Sequence, residues 1–326
     1  MLQLGRRFLV RLSRRLKRLG RPAPRIVPMP ETNVQDPTET AAAFFTKYSS
    51  ADQYESYVAE NLRLLRSRAA FEARLIPSDE YFKLRGYCVP CKRETDFLVD
   101  FLYSSIRKDG RRIPNWRDRL VCRRCKLPNR LRAIGDFIEN VVRPDRLATI
   151  YVTEQTTPFY RFLKNRYPET RGSEFIHDGT VRGKSNWLGV RNEDLTNLSL
   201  LDSSVDVICT ADVLEHVPEY TKAISECFRS LKPGGALVLS VPFILQNRET
   251  IVRARVRADG SIEHLLPPEY HGDASNTHGV LCYYHFGWDL LDSLRRGGFS
   301  DAAVYLYWSY RRGYMGGSHL ICATKS

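Results

Sequence analysis

No run of apolar residues in this 326-residue chain approaches the ~18 that a membrane-spanning helix needs. Acids are missing from residues 1–30, where nine Arg or Lys stand alone. The other 296 residues carry 41 basic and 37 acidic side chains, so most of the net charge of +13 belongs to the tail. A basic footprint over the whole surface, as a nucleic-acid binder would show, is therefore not implied. Glycine is missing from the junction Glu154-Gln155-Thr156-Thr157-Pro158, where a strand-like run passes into a helix-like one. That absence excludes the close backbone approach to a ligand that glycine permits. Long disorder is excluded too, because 43% of the residues are hydrophobic and only 27% are charged.

The tail "MLQLGRRFLVRLSRRLKRLGRPAPR" has a helical period. Leu9, Leu12, Leu16 and Leu19 share one face, and Arg7, Arg11, Arg14, Arg18 and Arg21 lie mostly on the other. Such a helix, residues 1–25, can rest on an anionic membrane surface. A solvated extension and a mitochondrial presequence have similar composition and stay open. Arginines interrupt any secretory h-region, so a cytoplasmic chain is expected, with a peripheral position at the inner face of the membrane as one form of it.

Four segments follow from the pattern. Residues 1–39 are the basic tail and a Pro-rich linker. Residues 40–80 read as helical, with Tyr57, Leu62, Leu65, Ala69 and Phe71 near one stripe. Residues 81–142 hold two Cys-x-x-Cys pairs, with β-like runs at 97–104 and 117–121 and a turn at Asp109-Gly110. Residues 143–326 alternate strand and helix patterns, the mark of an α/β sheet.

Cys88, Cys91, Cys122 and Cys125 form two knuckles 30 residues apart. Each Cys-x-x-Cys turn aims two sulfurs at one point, and two such turns complete a tetrahedral thiolate set for structural Zn²⁺. Knuckle, hairpin, knuckle and helix resemble a zinc ribbon or treble clef. Cys209, Cys227, Cys282 and Cys322 sit in apolar contexts and read as small buried residues.

The most informative stretch runs from Val190 to Phe243. It contains the acidic pair Glu193-Asp194, then "DSSVDVI", "DVLEHVPE", a helix ending in "LKPGG" and the strand "ALVLSVPF". In this order the motifs resemble the second half of class I S-adenosylmethionine-dependent methyltransferases, in the broad group called type 11. The resemblance implies a Rossmann-like, mostly parallel sheet with a C-terminal antiparallel hairpin and S-adenosyl-L-methionine as methyl donor. Asp194 would then accept from the adenine amino group, with Leu195 on the ring and Glu193 beside it. Glu174 would hold the ribose hydroxyls, and Asp212 would stand near a strand end in the same pocket. The family's first strand ends in an acid and a glycine-rich turn. Here only the acid, Glu154, is kept, with Thr156, Thr157 and the helix-start N–H groups left to receive the donor's carboxylate.

Two readings of that turn remain open: a shifted donor pose, or a lost pocket in a non-catalytic scaffold. If the acceptor is a hydroxyl, a general base is needed, and His216 and His271 are the candidates. The segment around Tyr270, His271, Asp273, His278, Tyr284 and His285 is rich in groups for an acceptor pocket. It resembles the same region of methyltransferases near sugar and surface-polysaccharide pathways. The expected partner is therefore a small-molecule, sugar or glycolipid acceptor. An RNA methyltransferase with a zinc module is the rival, disfavoured by the charge and by "ADVLEHV" in place of an Asn-Pro-Pro-Tyr motif.

Overall fold

A computed structural model describes residues 25–27, 44–77, 80–107, 109–272 and 279–326. The amphipathic tail, most of the Pro-rich linker, and Asp273 and His278 lie outside the described residues.

Seven strands form the main sheet. Their spatial order is Phe45–Tyr48, Asp301–Tyr307, His319–Thr324, Leu231–Ser240, Val205–Ala211, Ile150–Val152 and Arg171–Gly172. The last four are mutually parallel. His319–Thr324 pairs antiparallel with both of its neighbours, and Phe45–Tyr48 caps the edge antiparallel to Asp301–Tyr307. This is a Rossmann-like α/β sheet with the antiparallel C-terminal strands expected, made more mixed by the unexpected edge strand Phe45–Tyr48.

Strand alternation sorts the core into two layers. Ile208, Leu237 and Leu239 join Ala223, Ile224, Leu290 and Leu294, from the helices Tyr220–Ser230 and Asp289–Arg296. Val207, Cys209 and Val238 face the other way, onto Ile134, Phe137, Phe159 and Leu163 of the helices Asn129–Phe137 and Pro158–Arg166. A strand covered on both faces reads as an apolar run, and "VDVICTA" does. Helix Tyr220–Ser230 stops one residue before Leu231, whose extended backbone begins the next strand. Gly235 is required there, because a Cβ would lie 2.8 Å from the Lys232 carbonyl oxygen.

The cysteine-bearing segment forms its own four-stranded sheet, in the order Arg25–Val27, Phe82–Cys88, Arg93–Val99 and Leu120–Cys122. It is docked firmly on the main domain. Gly86 approaches Arg311 so closely that a Cβ would be 2.6 Å from its carbonyl oxygen, and the adjacent Tyr87 N–H donates to that oxygen at 2.7 Å. Fully buried Arg132 donates to the carbonyls of Arg312 and Gly313 and lies 4.2 Å from the Phe97 ring centre.

Three expectations shift. The β-like run 117–121 begins as a one-turn helix, Trp116–Arg119, because Asn115 caps it by accepting from the Asp118 N–H. Only Leu120–Cys122 pairs in the sheet. The run 97–104 is strand only as far as Val99, the strand having started at Arg93. The helical pattern expected from Thr40 starts at Ala51, and Phe45–Tyr48 before it is a strand of the main sheet. No helix among the described residues is long and apolar enough to cross a membrane.

Candidate active site

Strand Ile150–Val152 connects toward one edge of the sheet, to Arg171–Gly172, and the chain then returns to the other side as Val205–Ala211. Ligands in open α/β sheets bind beyond the carboxyl ends of strands at such a reversal. A cavity of about 1960 Å³ opens there. One small-molecule ligand fills about 300–1,000 Å³, so the space admits two side by side.

On one wall stand Glu193, Asp194 and Leu195. Asp194 Oδ1 accepts from the Thr196 N–H at 2.8 Å and its hydroxyl at 2.7 Å, a local turn that fixes the carboxylate on the rim. Leu195 is buried at the wall. Glu193 is buried as well, its carboxylate held by Arg191 Nε at 2.8 Å and the Ser199 N–H at 2.9 Å.

The glycine-free turn is held from across the sheet. Glu174 Oε1 accepts from the N–H groups of Gln155 and Thr156, at 2.8 and 2.9 Å, and from the Thr156 hydroxyl at 2.9 Å. Thr157 caps the next helix by accepting from the Tyr160 N–H at 3.1 Å, with Pro158 at the first helical position. Two N–H groups and two hydroxyls of this turn are thus engaged by the protein itself. Glu154 is deeply placed behind the turn; burial pushes its carboxyl above the usual range, and Oε1 has no hydrogen-bond partner.

Asp212 stands at the end of Val205–Ala211 in a left-handed conformation, φ 55°. Arg117 reaches it from the cysteine module, Nη1 to Oδ2 at 2.9 Å, and Arg130 Nε lies 3.2 Å from the same oxygen. The Ser240 hydroxyl donates to Oδ1 at 3.0 Å. Asp118 bonds both arginines and completes a four-charge network. Burial alone would raise the Asp212 carboxyl, but Arg117 and Arg130 outweigh it and hold it well below the usual range. His319, on the same wall, is pushed down to about 4 by burial and by Arg117.

The cavity lining also carries the two histidines. His216 sits in the single 3₁₀ turn Leu214–His216. Its Nδ1 is 2.8 Å from the Leu281 carbonyl, which can only accept, so Nδ1 carries the proton and Nε2 is the free lone pair. His271 lies 4.9 Å away, ring centre to ring centre. Between them is Glu215, fully buried, with neither carboxylate oxygen hydrogen-bonded. Its Oε1 is 3.8 Å from His216 Nε2 and 3.6 Å from His271 Nδ1. The neighbouring Cys282 sulfur and the carboxylates of Glu215 and Glu269 push His271 up to about 11.

The four predicted cysteines converge at a separate place. Cys88 and Cys125 sulfurs are 3.8 Å apart, Cys91 and Cys122 sulfurs 3.9 Å, and all four lie within 4.8 Å of one another.

Several cavity residues carry no local sequence signal. Arg117, Arg130 and Asp118 look like ordinary charges of a basic knuckle, and only the docking of that module brings them to Asp212. His319 stands in a C-terminal strand, 79 residues beyond Ser240, and meets the cavity through sheet pairing. Glu269 could have been noticed, since it stands two residues before His271.

The family model for a methyltransferase domain matches residues 160–239. A curated protein of Mycolicibacterium smegmatis, described as a probable S-adenosylmethionine-dependent methyltransferase, is 40% identical over 62 residues, 19% of this chain. Similar solved structures include an S-adenosylmethionine-dependent methyltransferase from Mesorhizobium loti. It is 16% identical, covers 60% of this chain and 95% of its own, and has a TM-score of 0.34. Another, from Thermotoga maritima and described as a possible histamine N-methyltransferase, is 18% identical, covers 61% and 88%, and also scores 0.34. Residues 160–239 are therefore similar to the methyltransferase domain family, while the chain spans about a quarter, 24%, of the curated relative it matches.

Proposed function

We propose that this chain is an S-adenosylmethionine-dependent methyltransferase that acts on a hydroxyl of a small-molecule, sugar or glycolipid acceptor. One observation carries the reading. The cavity at the chain reversal of the sheet is lined by Glu174, Asp194, Leu195 and His216 together. The family match over residues 160–239 supports it.

The donor, when bound, supplies an electrophilic methyl group. Asp194 accepts from the adenine amino group with the oxygen that Thr196 leaves free, and Leu195 packs against the ring. The Glu174 oxygen not used by the turn would take the ribose hydroxyls, since Oε1 alone accepts from the turn. Of the two candidate bases, His216 is the one we assign, because its protonated Nδ1 leaves Nε2 ready to accept. The acceptor hydroxyl would take the methyl group that the bound donor supplies, and His216 Nε2 would accept the hydroxyl proton. The carboxylate of Glu215 then faces the new N–H charge at 3.8 Å. Holding both reactants in line supplies most of the acceleration in such a transfer.

Cys88, Cys91, Cys122 and Cys125 hold a structural Zn²⁺ in the same reading. The donor set is four thiols with no carboxylate, and the Arg124 N–H donates to Cys122 Sγ at 3.4 Å, as knuckle amides do to metal-bound sulfur. Four sulfurs close the coordination sphere, so this metal has no catalytic part.

Calorimetric titration with S-adenosylhomocysteine tests the reading. Wild-type protein should bind, and Asp194→Ala should weaken binding by about 5–150-fold, the equivalent of a lost hydrogen bond of about 1–3 kcal/mol in a partly desolvated site. Undetectable wild-type binding at millimolar ligand would overturn it and leave the fold as a scaffold.

A further inference from the structure

The segment between Phe243 and Phe286 is built from three two-stranded ribbons: Ile251–Val252 with Tyr284–His285, Ala254–Val256 with Ile262–His264, and Tyr270–His271 with Val280–Leu281. Such ribbons are marginal alone. The hydrophobic cluster of their own is small, with Ala254, Leu281 and Tyr283 buried and Tyr284 against them. Yet Glu269, Tyr270, His271 and Val280 form one wall of the cavity, which must keep its shape. Something other than apolar burial holds these ribbons together.

Four metal-ligating side chains meet where the ribbons meet. Their spacing is Glu269-x-His271 and Cys282-x-x-His285, a pair of short knuckles. Glu269 Oε1 is 2.9 Å from His271 Nε2 and 3.1 Å from His285 Nε2. Ligand atoms of Glu269, His271 and Cys282 all lie within 4.8 Å of one another, and Cys282 is fully buried. Tetrahedral Zn²⁺ with nitrogen at ~2.0–2.1 Å and sulfur at ~2.3 Å needs ligand separations of roughly 3.3–3.8 Å, so shifts of under about 1 Å suffice for Glu269, His271 and Cys282, and the His285 ring has to move farther to join them.

The surroundings complete the set. A metal-bound histidine gives its other N–H to a carboxylate or carbonyl. Behind His271 stands Glu215, fully buried, both oxygens without a hydrogen bond, with Oε1 3.6 Å from His271 Nδ1. A lone buried carboxylate is costly, and an Nδ1–H aimed at it resolves the cost. Arg253 Nη2 lies 3.2 Å from Glu269 Oε2, the oxygen turned away from the histidines.

We propose that Glu269, His271, Cys282 and His285 form a second structural zinc site, which pins the ribbons as a wall of the cavity. His271 and His285 bind through Nε2, Glu269 through Oε1, and Cys282 as thiolate. When the metal binds, the thiol proton now donated to the Tyr284 carbonyl at 3.3 Å leaves to solvent, and the Nε2 protons that His271 and His285 donate to Glu269 Oε1 leave those atoms, to solvent or to the ring Nδ1. Glu215 is the positioning carboxylate for His271, and His216 stays outside the set with its Nδ1 on the Leu281 carbonyl.

Metal analysis of the reduced, tag-free full chain tests this. Wild type should carry about two zinc ions per chain, and Cys122→Ser and Cys282→Ser about one each. His285→Asn, which leaves the buried thiol in place, should also carry about one and serves if Cys282→Ser does not fold. Cobalt substitution gives a second readout: in Cys122→Ser the remaining site should show a weak single-thiolate charge-transfer band that Cys282→Ser removes. A wild-type content of one zinc, unchanged in Cys282→Ser and His285→Asn, would overturn the proposal whether or not the donor binds.

Discussion

The ion network under the cavity makes a quantitative demand. Replace Asp212 by Asn. The amide keeps the side-chain shape, and Asn tolerates the left-handed φ of 55°, so the change is essentially one of charge. Arg117 and Arg130 would then share Asp118 alone. Two unit charges about 4 Å apart interact by about 4 kcal/mol at an effective dielectric of ~20, and Asp212 faces two such cations. Against this, ionised Asp212 no longer has to be desolvated. Removing one partner of a fully buried pair costs about 3–5 kcal/mol. The side chains here keep 31%, 21% and 19% of their exposure, so the expected loss is smaller, about 2–3 kcal/mol at pH 7.

Urea unfolding of wild type, Asp212→Asn, Arg117→Met and the double variant reads the loss and the coupling between the two groups. Because the folded carboxyl is held below its unfolded value, this stability is fully present at neutral pH. It fades only as pH falls below about 4 toward the folded value. A loss under ~0.5 kcal/mol with no coupling would refute the reasoning, since surface pairs behave that way. If stability held while S-adenosylhomocysteine binding fell, Asp212 would instead be a ligand-facing group, the role that its strand-end position suggests.

His319 is held neutral down to about 4 against an unfolded value near 6.5, so the unfolded state binds the extra proton and stability falls from about pH 6.5 to pH 4. The full penalty is at most about 3 kcal/mol, and His319→Gln should flatten that part of the stability–pH curve; an unchanged slope would count against it. Cys122→Ser should unfold residues 81–122 at lower temperature than the main sheet, seen as loss of amide protection there, while retention of wild-type zinc would end the four-cysteine assignment. Deleting residues 1–25 should abolish binding to anionic vesicles at low salt, at about 1 kcal/mol per basic residue near the surface, and equal binding by both proteins would refute the membrane reading. Glu174→Ala should weaken S-adenosylhomocysteine binding about 10-fold or more, because one carboxylate both faces the ribose and holds the turn, with charged hydrogen bonds of about 1.5–3 kcal/mol; unchanged affinity would place the donor elsewhere.

What could be read from the sequence follows the range of the interactions. Val205–Ala211, the helix after Glu219 and the Pro158 helix start are written in local periodicity and capping, and they fold as expected. The two Cys-x-x-Cys turns were legible because each knuckle is local and only the hairpin between them had to be supposed. The strand Phe45–Tyr48 was not legible. Its partner Asp301–Tyr307 lies more than 250 residues away, and the aromatic and basic residues before Ala51 continue a helical stripe equally well. The same distance hid the arginines on Asp212, since nothing near "NWRDRL" distinguishes them from solvated charges.

The turn at Gln155–Thr156 shows how a missing local signal is replaced by a distant one. A glycine-rich turn leaves its N–H groups free for a ligand's anionic end, and its cost is conformational entropy. This chain uses bulkier residues, whose N–H groups need an acceptor in the folded protein. Glu174 is that acceptor, reached across the sheet edge beside Arg171–Gly172. In the proposed pose the donor's carboxylate would meet a turn that the Glu174 carboxylate already occupies. In that pose the pocket would gain more of its affinity at the adenosine end, from Asp194, Leu195 and the second Glu174 oxygen, than a glycine-lined pocket would. Glycine at Gln155 and Thr157 would leave Glu174 in place and so would not by itself restore a free N–H cradle; that requires removing the carboxylate, which also removes the ribose contact. In the proposed pose the turn and the ribose site would form one coupled unit, and substitutions at Thr156 and Glu174 should be non-additive in their effect on binding.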